Sequence, residues 1–435
     1  MPGTSCWGRC SGITRSCSGA PPRRQRRRRR CRRPIACLAD VSPTLSDLVR
    51  LLFVSHSFPP AGRPLSNVGG MQRVATELHA ALRRQPGLTL ESLVLRASWD
   101  TTHLKTPPFL ARAAWQIRRM ARAGAIDAVL FSSMVTASLA VPLRRVLAAA
   151  RVRTAAIVHG RDVTLPVRPY QRFVPRVFDA LDAVLPVSRA TGAACLERGL
   201  AAEKLHVVPN GIDLNRFAPL NDPATMRRSL LEAVGGDLPE GALLLCSVGR
   251  QVERKGFAWF VDQVMPLLPA DVHYWLAGDG PEAGAIEAAI DRRGLQERVR
   301  LLGRVSEAAL EQLYRGADLF VMPNIPVPGD MEGFGVVMLE AGLGGLPVIA
   351  ARLEGIQDVV AEGKNGHLVE SGDAWGFSEA IMAYYDDREA LQEASERAAA
   401  YVRDTFSWQA VARRYVDTLA AVVGTSVPVL EPDPA

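Results

Sequence analysis

DMEGFGVVMLEAGLGGLP, residues 330 to 347, governs how the rest of this 435-residue chain is read. Pro323, Pro326, Pro328 and Gly329 in front of it resist regular structure, and VVMLEAG behind it predicts a helix. The Gly-Phe-Gly step at Gly333, Phe334 and Gly335 therefore falls at a loop-to-helix junction. The first-turn N–H groups of such a helix point outward at the positive end of its dipole, and glycines let a phosphate or sugar hydroxyl reach the backbone. Glu332 then faces the bound group from the loop. Glu340, about two turns into the helix, is placed to accept hydrogen bonds from a diol. Two glutamates at this spacing also occur on ordinary helix surfaces, so the other segments carry the decision.

The formal charge of +7 is local. Residues 1 to 47 hold eleven arginines and two aspartates, which leaves 41 basic and 43 acidic residues in the remaining 388. Nine arginines between Arg23 and Arg33, set among Pro and Gly with no apolar stretch suited to a secretory signal, predict a disordered Arg-rich leader over 1–47. It reads as a nucleic-acid or anionic-lipid tail, a transit peptide, or an upstream extension. Five of the seven cysteines lie there; Cys195 and Cys246 alone belong to the body, which argues for a reducing, cytoplasmic compartment and gives no metal or disulfide framework. No run of about 18 apolar residues predicts a membrane-crossing helix.

From Leu48 onward, short apolar runs closed by turn residues alternate with helical patterns. VRLLFVSHSFPP (49–60) reads as a buried parallel strand, and the loop after it places Gly69 and Gly70 just before a helix, a second phosphate-compatible arrangement. LTLESLVLR (88–96), AVLFSS (128–133), TAAIVHG (154–160), DAVLPVS (182–188) and LHVVPNG (205–211) continue the series. GALLLCSVGR (241–250), DVHYWLAGDGP (271–281), RVRLLGRV (298–305), DLFVMPN (318–324) and LPVIAAR (346–352) repeat it. Such alternation predicts an α/β chain of two doubly wound units with a cleft between them. We expect a first domain over 48–220, a second over 221–405, a helix over 406–424 packing back across the junction, and a tail over 425–435. Ligands of open parallel sheets bind beyond the strand carboxyl ends, where His159, Ser188 and Asn210 fall.

VVPNGIDLNRF, VGRQVERKGF, LAGDGP, VRLLGRV and EGFGVVMLE stand in an order and spacing that resembles the family 4 glycosyltransferases, retaining enzymes of the GT-B fold, over about residues 49 to 422. GT-B implies two Rossmann-like domains facing across a cleft and a nucleotide-sugar donor. The resemblance places Arg250 and Lys255 on the donor diphosphate, a role in which Arg binds bidentately and Lys acts as a point charge. It places Glu332 on the donor sugar, Glu340 on the ribose diol, and the backbone of Gly333 to Val336 on sugar and phosphate. Arg304 and Val305 would hold the base, and Gly278 with Asp279 would line the nucleotide pocket. His159 in VHGRDV would face sugar and acceptor in a positioning role, with Asp162 orienting it. No Asp-x-Asp pair is present, so a metal-independent reaction without cofactor is expected. Asp358 departs from the glutamate usual at its place. The long loop before Glu332 is similar to that of phosphatidylinositol mannoside mannosyltransferases and points toward GDP-mannose, with a UDP-sugar the other donor.

PFLARAAWQIRRMARAG (108–124) puts Arg112, Trp115, Arg118, Arg119 and Arg122 opposite an apolar face, and Arg168, Arg172 and Arg176 make a second stripe. Basic faces of this kind suit an anionic membrane surface and a lipid-linked acceptor. The expected activity is hexose transfer to a glycolipid or polysaccharide-precursor acceptor by a peripheral enzyme, with no nucleic-acid partner. The alternatives are a same-fold epimerase or phosphorylase and, from another class, a polybasic nucleic-acid-binding protein.

Overall fold

The structure is a computed structural model describing residues 49–60, 70–217 and 222–424. The Arg-rich leader, Gly69, the expected boundary at 220/221 and the tail from 425 lie outside these residues.

Five strands, β1 (Val49–Phe58), β2 (Leu88–Arg96), β3 (Ala128–Phe131), β4 (Arg153–Val158) and β5 (Ala183–Pro186), form a wholly parallel sheet in the order 2-1-3-4-5. Six more, β6 (Leu243–Val248), β7 (Val272–Ala277), β8 (Val299–Gly303), β9 (Leu319–Met322), β10 (Val348–Ala351) and β11 (Gly366–Val369), form a second parallel sheet in the order 11-10-9-6-7-8. Strands β3 and β5 are buried along their whole length, as are β6, β7, β9 and β10, and β4 is buried from Thr154 onward. Helices cover both faces, which is why these strands read as continuous apolar runs. Chain order reverses at β1/β3 in the first sheet and at β6/β9 in the second, and in such sheets these switch points are where ligands bind.

Three segments differ from the sequence expectation. LHVVPNG forms a single bridge, Leu205 to Val184, in place of a strand; Val208 N–H still reaches the Pro186 carbonyl, but Pro209 has no N–H with which to continue. The basic helix begins at Trp99 and runs through Pro107 and Pro108 to Arg122. Both prolines are exposed, as are His103 and Leu104, whose carbonyls lose their helical donors and can be met by water. GHLV, too short to stand out in sequence, forms the edge strand β11.

The helix Trp408–Val423 is capped by Ser407, whose hydroxyl accepts from Ala410 N–H, and it lies against the helix Gly70–Leu82 of the first half. Ile212 N–H donates to the Phe406 carbonyl at 2.8 Å and Trp408 N–H to the Ile212 carbonyl at 3.2 Å. The Trp408 indole donates to the Glu77 carboxylate. No helix among the described residues is long and apolar enough to cross a membrane.

Candidate active site

The second sheet's switch point opens on a cavity of about 320 Å³. Lys255 comes from the turn after β6, and Glu332 from the loop after β9. His159, at the end of β4, and Asn210 line it from the first half. At its base the halves touch through backbone. A Cβ on Gly333 would lie 2.0 Å from the His159 carbonyl oxygen, so only glycine fits there.

Glu332 is almost fully buried. Its Oε2 lies 2.6 Å from the Lys255 ammonium and 3.6 Å from Arg254 Nε, and Asn324 Nδ2 donates to it at 3.4 Å. Arg254 also pairs with Asp330 at 3.2 Å. Burial pushes the Glu332 carboxyl up, but the Lys255 and Arg254 cations outweigh it and hold the group below the ordinary carboxylate range. For Lys255 burial wins over Glu332, and its ammonium lies below the usual lysine value. The pair sets one side chain suited to phosphate oxygens beside another suited to sugar hydroxyls.

The Gly-Phe-Gly junction forms as its composition dictates. Gly335 takes a left-handed φ of 82° and precedes the helix Val336–Leu343, while Phe334 turns into the core. The backbone from Gly333 to Val336 lines the cavity.

Glu340 is engaged differently from the sequence expectation. Its Oε1 pairs with Arg73 at 2.8 Å and with Arg216 at 3.2 Å, and its Oε2 accepts from the Tyr314 hydroxyl at 2.9 Å. Both arginines also reach Glu307, at 3.3 and 3.2 Å, so four charges gather around the first-half helix Gly70–Leu82 and the second-half helix Val336–Leu343. Glu340 does not line the main cavity. Gly70 begins the first of these helices.

His159 directs Nε2 at the Ser132 carbonyl, 2.9 Å away. Asp162 accepts from the backbone N–H of His159 at 2.8 Å and of Met134 at 3.4 Å, so it fixes the strand end and not the ring. Burial raises its carboxyl pKa against the pull of His159. Beside them His56 is depressed to about 4, first by burial and then by His159, and is neutral at physiological pH. Asn210 Oδ1 is buried without a hydrogen-bond partner. Ser188 caps the helix Arg189–Leu196 through Thr191 N–H and has a structural task.

The remaining sequence candidates gather on a second rim. Gly278 and Gly280 abut the loop after β6, where added Cβ atoms would come within 2.0 Å of Gly249 O and 2.2 Å of Gln251 O. Gln251 N–H donates to Asp279 O, and Asp279 pairs with Arg304 at 2.6 Å on the exposed surface. Arg250, on this interlocked loop, is exposed and does not line the cavity, nor does Val305. The cavity cation beside Lys255 is Arg254, which spacing alone passed over. Arg73 and Arg216 carried no sequence signal, because their roles exist only where the two halves meet; Tyr314 reaches Glu340 from another helix of the same half. Asp358 caps the helix Arg189–Leu196 across the same junction, accepting from Arg189 N–H at 2.9 Å and Nε at 2.6 Å.

Comparison with known proteins agrees with this geometry. The family described as Glycosyltransferase Family 4 matches residues 68–216, and the one described as Glycosyl transferases group 1 matches residues 242–387. The chain is 26% identical to a GDP-mannose-dependent alpha-(1-6)-phosphatidylinositol monomannoside mannosyltransferase of Mycolicibacterium smegmatis, over 85% of this chain and 98% of that protein. It is 32% identical to a D-inositol 3-phosphate glycosyltransferase of Xylanimonas cellulosilytica, over 62% of this chain and 64% of that one. Its fold matches that of Anabaena HepE, solved in complex with UDP, with a TM-score of 0.64 and 20% identity over 86% of this chain and all of that one.

Proposed function

Since this chain belongs to the group 1, family 4 glycosyltransferases of GT-B fold and is a hexosyltransferase, we propose that it transfers a hexose from a nucleotide sugar, with retention, to a glycolipid or polysaccharide-precursor acceptor. GDP-mannose is the favoured donor and a UDP-sugar the other; the name of the M. smegmatis relative supports the first. The observation that carries the reading is the buried Lys255–Glu332 pair beside Gly333 to Gly335 at the start of a helix.

Negative charge builds on the leaving diphosphate as the glycosidic bond breaks, and fixed cations with oriented amides stabilise it without reorganising. Lys255 and Arg254 supply the cations, and the helix start at Val336 the amides. Glu332 holds the sugar hydroxyls. His159, its ring fixed by the Ser132 carbonyl, and Asn210, with its unpartnered oxygen, present polar groups from the opposite wall to position sugar and acceptor. The leaving phosphate takes the acceptor proton on the same face. The protein's own cations make this a metal-independent reaction in our reading, so transfer persists in excess chelator.

The acceptor is met at an anionic membrane surface. Three helices side by side, Trp99–Arg122, Ala140–Ala149 and Arg168–Ala180, expose Arg112, Arg118, Arg119, Arg144, Arg172 and Arg176, among others. Trp115 is 60% exposed beneath the Arg119 guanidinium, and Leu104 is 70% exposed. Indole and apolar side chains among arginines favour the headgroup region.

A thermal-shift series with nucleoside diphosphates tests the donor reading. A ligand at about 100 times its dissociation constant stabilises by roughly 2.7 kcal/mol. Selective stabilisation by GDP or UDP is expected; no response to any nucleoside diphosphate or its sugar overturns it.

A further inference from the structure

Among the described residues only Arg151 and Glu354 combine a side chain with a left-handed φ, and Glu354, at 45°, does so next to the donor-facing loop. A glycine would adopt this conformation without strain, whereas any other residue costs roughly 1 kcal/mol more there. Something at Glu354 offsets that cost. Its carboxylate accepts the backbone N–H of Glu332 at 2.5 Å, and the next residue's N–H, that of Gly355, donates to the Glu332 carbonyl at 3.1 Å. Residues 354 and 355 thus hold both polar backbone groups of Glu332.

The fit between the two segments is tight. A Cβ on Gly355 would stand 2.2 Å from the Gly333 carbonyl oxygen. Between Met322 and Val336 the chain has no regular structure, and its prolines at 323, 326 and 328 donate nothing. Little else on that segment's own backbone can fix where Glu332 sits. A buried N–H left without an acceptor is itself unfavourable, so the Glu354 oxygen both satisfies the donor and sets the peptide's orientation.

We propose that Glu354 is a positioning residue: from outside the cavity its carboxylate clamps the Glu332 peptide, aiming the Glu332 side chain and the Gly333–Gly335 backbone at the donor sugar, and the left-handed backbone at 354 is kept for that contact. That the loop meets a donor sugar rests on the function proposed above; that Glu354 fixes the loop does not.

The test uses the full chain with Glu354→Gly, which removes the acceptor and relieves the strained φ, and Glu354→Gln, which keeps an acceptor oxygen without the charge. Hydrogen exchange over residues 331–336 and the donor KM are measured together with the melting temperature. In Glu354→Gly we expect an unchanged melting temperature, Glu332 amide exchange about tenfold faster and a donor KM about tenfold higher. In Glu354→Gln both should stay within about twofold of wild type. Wild-type exchange in Glu354→Gly, or a Glu354→Gln variant as impaired as Glu354→Gly, overturns the clamp. Should the wild-type protein turn over no nucleotide sugar, the functional reading fails, while the exchange measurement still decides the clamp.

Discussion

Removing either member of the Lys255–Glu332 pair should destabilise the protein as well as stop transfer, and a double-mutant cycle separates the two effects. At 2.6 Å the gross attraction is about 6 kcal/mol at an effective dielectric constant near 20, set against the desolvation of two almost fully buried ions. Losing one partner leaves the other charge buried and unmatched, at a cost of about 3–5 kcal/mol. Glu332→Gln falls at the upper end, because Lys255 Nζ then faces a neutral amide in place of its counter-charge, with the Met322 sulfur at 3.8 Å beside it. Lys255→Met falls at the lower end, because Arg254 and Asn324 still reach Glu332. At 2–4 °C per kcal/mol for a unit of this size, thermal scans should show losses of roughly 6–20 °C for the single variants. The double variant, neutral on both sides, should melt within about 1 kcal/mol of wild type, a coupling of about 7 kcal/mol when set against the two single losses, and yet be inactive. The carboxyl of Glu332 lies below its unfolded value, so the pair's contribution is present above the ordinary carboxylate range and is lost as pH falls through the lowered value. The single-variant deficits should shrink accordingly in acid. Additive single losses, or single variants as stable as wild type, would refute the argument.

His56 supplies an acid-stability prediction. The unfolded chain takes up its proton near 6.5 and the folded chain only near 4, so stability falls by about 3 kcal/mol as pH drops between those values and then levels off. His56→Asn should flatten that slope in melting temperature against pH; an unchanged slope sinks the attribution. Gly333→Ala should lower both melting temperature and transfer, since its Cβ meets backbone that cannot yield, and a fully active variant would deny the close approach to His159. Replacing Arg112, Arg118, Arg119 and Arg122 by Glu should abolish flotation with anionic vesicles while leaving transfer to a soluble acceptor analogue, and retained flotation would remove the membrane face. Arg73→Ala should cost about 1–3 kcal/mol, because Arg216 and Tyr314 remain on Glu340; a loss equal to that of Arg73→Ala/Arg216→Ala would show that the two arginines do not share the carboxylate.

The fold was legible where burial is two-sided. AVLF and LFVM are apolar at every position, and LLLCSV at all but Ser247, because helices cover both faces of their sheets, and no other element of that length needs such a run. The reading broke where tertiary context decides. LHVVPNG is as apolar as a strand, yet Val207 is 40% exposed and Pro209 stops the ladder. Pro107 and Pro108 look like a helix boundary, but on an exposed face their missing donors are cheap to leave, and the helix passes through them.

The site divides along the same line, between what a residue is and whom it meets. The junction at Gly335, with its left-handed φ, follows from local chemistry, so the motif located it. Pairing of charges does not. A lysine and a glutamate that must act on a substrate inside a cavity can be held there only if each compensates the other, and 77 positions of sequence hide that Lys255 and Glu332 do so. The choice of Arg254 over Arg250 follows from the short turn Glu253–Lys255, which carries Arg254 toward Asp330 while the loop before it is locked against Gly278. Glu340 carries this furthest. Its helix position was correct, but Arg73 and Arg216 come to it from the other half of the chain, so a carboxylate legible as a ligand for a diol is also a tie between the halves. A group that donates its hydrogen bonds to the Glu340 oxygens has to compete with that tie.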